Sequence, residues 1–147
     1  MSATRLAVVF AVVAGLAGAA QAAIAGALGR RVGSVQAAAF GTVIAATILV
    51  ALAVALGRGS GIVDAIHHPP WLWLTGVLGA TIVLAITFAP PLIGTFATVA
   101  LLIAGQLIAG VLIDAYGLLG SPRLPVTLTR ATGLVLVAVG AALTLKH

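Results

Sequence analysis

The sequence contains no cysteine and no glutamate, and its only formal charges are seven Lys or Arg and two Asp, Asp64 and Asp114, in 147 residues. Without cysteine there are no disulfides, and the redox compartment leaves no trace. A water-soluble domain gives about a quarter of its residues to charged side chains; here they make up 6%. Water is therefore not the main solvent of this chain. The basic balance of +5 would suggest a nucleic-acid partner in a soluble protein. Here the cations stand between long apolar runs, where Lys and Arg act as orientation signals, and no nucleic-acid partner is expected. No nucleophile, base and orienting group can be assembled, and no glycine-rich phosphate loop follows a strand, so neither an enzyme nor a cofactor is expected.

What fills the chain is apolar, 63% of its residues, in runs near the roughly 20 residues a helix needs to cross a hydrocarbon core about 30 Å thick. The first run goes from Leu6 to Gly29 and is followed by Arg30, Arg31, Gly33 and Ser34. The second goes from Val35 to Gly57 and ends in Arg58, Gly59, Ser60 and Gly61. A loop continues through Asp64, His67, His68, Pro69 and Pro70 to Trp71 and Trp73, whose amphipathic rings suit the headgroup level. From Trp71 to Ile113 no charge occurs, which as one helix would reach about 65 Å, more than twice the hydrocarbon thickness. That run must fold back, and Pro90 and Pro91 near its middle predict where, because proline removes a donor and disfavours helix in the residue before it. In the last run Arg130 stands in the first turn, where it must snorkel or find a partner.

The expectation is an all-α polytopic integral membrane protein. It would be one transmembrane domain over 1–147, with helices at about 6–29, 35–57, 71–89, 92–113 and 127–145. The rival for the first run is a secretory signal peptide, since Arg5, an apolar stretch and Ala20, Gln21, Ala22 mimic one; the run continues past that site to Leu28, which speaks against it. With five crossings, one side would carry Arg5, Arg58, Arg123 and Arg130 and the other Arg30, Arg31 and Lys146. Orientation follows the excess of Lys and Arg, so four against three leaves both dual insertion and a single orientation open. In the first helix Ala7, Ala11, Gly15, Ala19, Ala23 and Ala27 recur every four residues, with a second row at Ala14, Gly18, Ala22 and Gly26. Such rows let backbones approach closely in lipid, although an Ala-rich chain also produces them by chance.

Four stretches together resemble the YdcZ-like family of short drug/metabolite transporters. They are Gln21 to Ser34 (QAAIAGALGRRVGS), Trp71 to Ala80 (WLWLTGVLGA), Pro91 to Gly117 with Gly105, Gln106 and LIDAYG at 112–117, and the tail with Arg123, Pro125, Arg130 and Gly133. The resemblance implies half of a ten-helix transporter, working as an antiparallel dimer of inverted five-helix units in the inner membrane of a bacterium. The dimer would be a homodimer, or a heterodimer with a paired five-helix chain. The family pattern carries Asn where Ala25 stands and Ser-Phe near Gly41 and Thr42; both departures delete polar side chains.

A transporter needs groups that replace a substrate's water shell, usually buried polar side chains or irregular backbone. The substrate-pathway candidates are Gln106, beside Gly105 in the body of the fourth helix, and Gln21 in the first; each offers two donors and an acceptor, and each could equally bond a neighbouring helix. Asp114, at the end of the fourth helix, is a candidate for coupling or for an interfacial pair with Arg123 or Arg130, and Tyr116 shares that face. His67 and His68 lack an accompanying carboxylate or cysteine cluster, so no metal site is expected. Trp71 and Trp73 read as interfacial anchors. The expected function is export of a small polar molecule by alternating access. The alternatives are proton-coupled export of cationic drugs, which the missing membrane-embedded Glu disfavours, and a non-transporting scaffold.

Overall fold

The computed structural model describes residues 3–145; Ser2, Lys146 and His147 lie outside the described residues. Among them all regular structure is helical. The chain forms two compact units, the first ending at Pro91 and the second beginning at Leu92.

The first unit contains α1 (Ala3–Val32), α2 (Ser34–Ala55), the short α3 (Ser60–Asp64) and α4 (Leu74–Phe88). Two 3₁₀ turns, Ala65–His67 and Pro70–Trp73, join α3 to α4. A four-residue α5 (Pro90–Ile93) carries the chain into the second unit, which holds α6 (Thr95–Tyr116) and α7 (Leu128–Leu143).

Helix α1 ends where Arg30 and Arg31 occupy its last turn, the end at which the helix dipole favours cations. The break itself is Gly33, with φ 97 and ψ 145, a region that β-carbons exclude. The same device recurs at Gly94, with φ 82 and ψ 156, immediately before α6. Helix α4 ends at Phe88, directly before the two prolines at which the sequence predicts a fold-back, and the two units divide after Pro91. Ala89 keeps helical angles and Pro90 and Pro91 lie inside the short α5; a further break follows at Gly94. Proline fixes a φ that a helix's first turn accepts, whereas only glycine supplies the positive φ of the break.

In the first unit α1, α2 and α4 each contact the other two. Their shared core consists mostly of small residues: Ala22, Gly26 and Gly29 from α1, Ala37 and Ala38 from α2, and Thr87 from α4, with the larger Ile86 of α4 and Pro90 beside them. A β-carbon at Gly26 would lie 3.0 Å from Pro90 Cβ, and one at Gly29 would lie 3.1 Å from Thr87 Cγ2. Of the two small-residue rows in α1, the second thus supplies the contact, through Ala22 and Gly26, while Ala7, Ala11, Gly15 and Ala23 are exposed. In the second unit Ala97, Thr98 and Ala104 of α6 and Ala141 of α7 are buried. Large apolar side chains such as Phe10, Leu16, Phe40, Phe96 and Leu128 point outward. This inverts a soluble core, as expected where lipid is as apolar as leucine and helices associate by close backbone packing.

Four helical segments are long and apolar enough to cross a membrane: Ala3–Val32, Ser34–Ala55, Pro70–Ile93 and Thr95–Tyr116. The fifth apolar helix, α7, has 16 residues, about 24 Å at 1.5 Å per residue, and falls short of that length.

Candidate functional site

Most hydroxyls in the helices are already occupied. Thr42, Thr47, Thr81, Thr87, Thr98 and Thr132 each donate to the carbonyl four residues earlier, at 2.7–3.0 Å. Threonine is tolerated in hydrocarbon by this back-bonding, and it leaves these side chains with nothing to offer a substrate as donors. The amides of Gln21 and Gln106 are what remain in the bodies of the long helices, and each faces an open cavity within its own unit.

The cavity of the second unit lies between α6 and α7 and encloses about 450 Å³. Gln106, Leu107, Gly110, Val111 and Asp114 line it from α6, and Arg130, Gly133, Leu134 and Val137 from α7. Gln106, Gly110 and Asp114 are four residues apart, so they share one face of α6. Arg130, Gly133 and Val137 do the same on α7 at spacings of three and four. The two charged residues meet: Arg130 Nη1 lies 3.4 Å from Asp114 Oδ2. Each side chain stays partly accessible, 43% for Arg130 and 32% for Asp114.

The loop after α6 builds the surroundings of that pair. Gly117 closes α6 in the left-handed conformation, a common helix ending that satisfies orphan carbonyls. The chain then folds back, so that the Leu124 N–H donates to the Asp114 carbonyl at 2.9 Å. Ser121 Oγ donates to Asp114 Oδ1 at 3.2 Å. Arg123 Nε donates to the Ala115 carbonyl at 3.2 Å. Arg123 is therefore a backbone tie, and Arg130 is the partner of Asp114. Arg130 in turn is placed by the start of α7, where the Thr127 hydroxyl accepts from its backbone N–H at 3.3 Å.

The remaining candidates fall as follows. Gly105 is exposed, and a β-carbon there would meet nothing within 4 Å. Tyr116 is 66% exposed. Gln21 lines a groove of about 460 Å³ in the first unit, with Ala17, Ala25, Phe40 and Gly41 among its neighbours. Ala25 and Gly41, at or near the positions where the resemblance implies polar residues, both line this groove. Among the described residues no three His, Cys, Asp or Glu side chains gather as metal ligands would. Ser121 had no sequence signal: it lies seven residues from Asp114, and only the folded-back loop joins them.

A polar face of Gln, Asp and Arg inside a long apolar helix pair is a feature of membrane transport pathways, and a family-wide sequence profile matches residues 6–143. The family is described as "Putative inner membrane exporter, YdcZ". The chain belongs to the YdcZ family. It is a multi-pass inner-membrane protein of the exporter class. No match was found among curated proteins, and none among solved structures.

Proposed function

We propose that this YdcZ-family chain exports a small polar molecule by alternating access, as an antiparallel pair of five-helix protomers, with the α6–α7 cavity as part of the substrate path. The observation that carries the reading is the Gln106 amide. Among the described residues no hydrogen-bond partner accompanies it, and an unmatched amide at membrane depth costs several kcal/mol. A passing polar substrate and its water, which the adjoining cavity admits, relieve that cost. Asp114 contributes as one half of a charge pair with Arg130, an arrangement that favours an interfacial role over proton coupling.

The paired architecture is supported by the near-balance of cations, four against three by the five-crossing count, which leaves insertion close to indifferent. It requires α7 to cross as well. Its helical 16 residues can do so where the bilayer thins, with Arg130 reaching toward the headgroups. Two inverted copies have the symmetry from which many transporters build a midplane site and two access states. Gln106 from each copy would then approach the two-fold axis from opposite directions.

The test is release from proteoliposomes loaded with a deproteinised bacterial metabolite extract, read by mass spectrometry. Wild-type protein should release a restricted set of polar compounds. Gln106→Leu should abolish that release while the protein stays folded, since the exposed Gln106 side chain has no hydrogen bond among the described residues to lose. Release by Gln106→Leu at the wild-type rate, or none by either protein, would refute the proposal.

A further inference from the structure

We infer that the α6–α7 cavity takes a zwitterion, a small molecule carrying one carboxylate, one ammonium group and an apolar body, of the α-amino-acid type. The inference rests on the transport reading above and names the substrate class of that same site. The cavity has opposite charges at one end and an amide at the other, with an apolar wall between.

The charged end is built to be opened. Arg130 and Asp114 touch through one atom pair at 3.4 Å, and both remain partly accessible, where such a pair contributes little. A guanidinium has five donors in a planar fork suited to a carboxylate; Arg130 spends one of them on Asp114, and its other side-chain donors have no partner among the described residues. Asp114 is held on its other oxygen by Ser121, so its carboxylate stays oriented when Arg130 turns away.

Charge balance then selects the ligand. A simple anion drawn to Arg130 would leave Asp114 without its counter-charge, and a simple cation would leave Arg130 so. A zwitterion inserted between them gives its carboxylate to Arg130 and its ammonium group to Asp114, and both protein charges remain paired. The adjoining wall is Leu107, Val111, Leu134 and Val137, which suits an apolar body. Gly110 and Gly133 leave room for it, since a β-carbon at either would meet nothing within 4 Å. Gln106 lies two turns below Asp114, about 12 Å along the helix axis, and sets the far limit of the ligand.

The experiment is equilibrium binding of radiolabelled L-leucine to the full-length protein in lipid nanodiscs, with two competitors that each keep one charge. L-leucine methyl ester retains only the ammonium group, and N-acetyl-L-leucine retains only the carboxylate. Leucine should bind saturably, and each competitor should be weaker than unlabelled leucine by about tenfold or more, the scale of one charge-assisted hydrogen bond. Asp114→Asn should narrow the gap for N-acetyl-L-leucine alone, and Arg130→Gln for the ester alone, a selectivity exchange that a merely structural pair would not give. No saturable leucine binding, or competition by either analogue equal to leucine, overturns the inference, and neither result depends on the variants folding. Extract release in the absence of leucine binding removes only the zwitterion. Leucine binding in the absence of any release removes the transport reading and leaves the site.

Discussion

Gly26 is the tightest helix contact in the first unit, and replacing it with alanine separates two effects of opposite sign. A β-carbon there would lie 3.0 Å from Pro90 Cβ, 3.2 Å from Pro91 Cδ and 3.5 Å from Pro90 Cγ. Pyrrolidine rings cannot rotate out of the way, so α1 or the Pro90–Pro91 segment must shift, an overpacking cost of about 1–3 kcal/mol. Against this, alanine is a better helix former than glycine by about 1 kcal/mol. Gly18, two turns earlier in α1, supplies the reference, since a β-carbon there meets nothing within 4 Å and only the helix-propensity gain operates. Subtracting one variant from the other cancels that gain, leaving Gly26→Ala less stable than Gly18→Ala by about 1–3 kcal/mol. The assay is reversible unfolding in mixed micelles, comparing both variants with the wild type. Equal stabilities of Gly26→Ala and Gly18→Ala would show that the α1 contact at the prolines is not close-packed.

Gly94, which precedes α6, should resist substitution for a conformational reason alone. Gly94→Ala has open space around its β-carbon, yet should lose about 1–3 kcal/mol in the same unfolding assay because φ 82 with ψ 156 is strained for any L side chain; an unchanged midpoint refutes this. The Asp114–Arg130 pair should contribute about 0.2–1 kcal/mol, in keeping with its exposure. A double-mutant cycle of Asp114→Asn and Arg130→Gln measures it, and a coupling of several kcal/mol would mean that the pair is buried in the membrane-embedded protein. For topology, single cysteines at Val32 and His67, treated in intact cells with an impermeant thiol reagent, should each label in about half of the molecules. Adding Gly59→Lys and Ser60→Lys should drive nearly all chains to one orientation; a wild-type chain labelled at only one position would exclude the homodimeric antiparallel pair.

The membrane class and the helical content were legible in the sequence, because hydrocarbon leaves a single chain few ways to satisfy its backbone and helix is the one open to apolar runs of this length. The resemblance built on Gln106, Asp114 and Gly117 identified the family for a related reason: in a chain so rich in Ala, Gly and Leu, only the rare polar residues carry information. Local sequence also announced Arg130 as a residue that must snorkel or find a partner, without saying which. That choice depended on the loop after α6, which returns to the helix end, gives Arg123 to the Ala115 carbonyl and leaves Arg130 to Asp114. Tertiary structure likewise chose between two equally spaced rows of small residues in α1, burying Ala22 and Gly26 and leaving Ala7, Ala11, Gly15 and Ala23 open. The prolines mark the end of α4 at Phe88, while the break at Gly94 had no comparable signal, since its φ of 82 with ψ 156 is seen only in the folded backbone. Spacing along the chain fixes what shares a face of one helix. Which face meets which neighbour is decided by how closely two backbones can approach, and that distance exists only once the helices are packed.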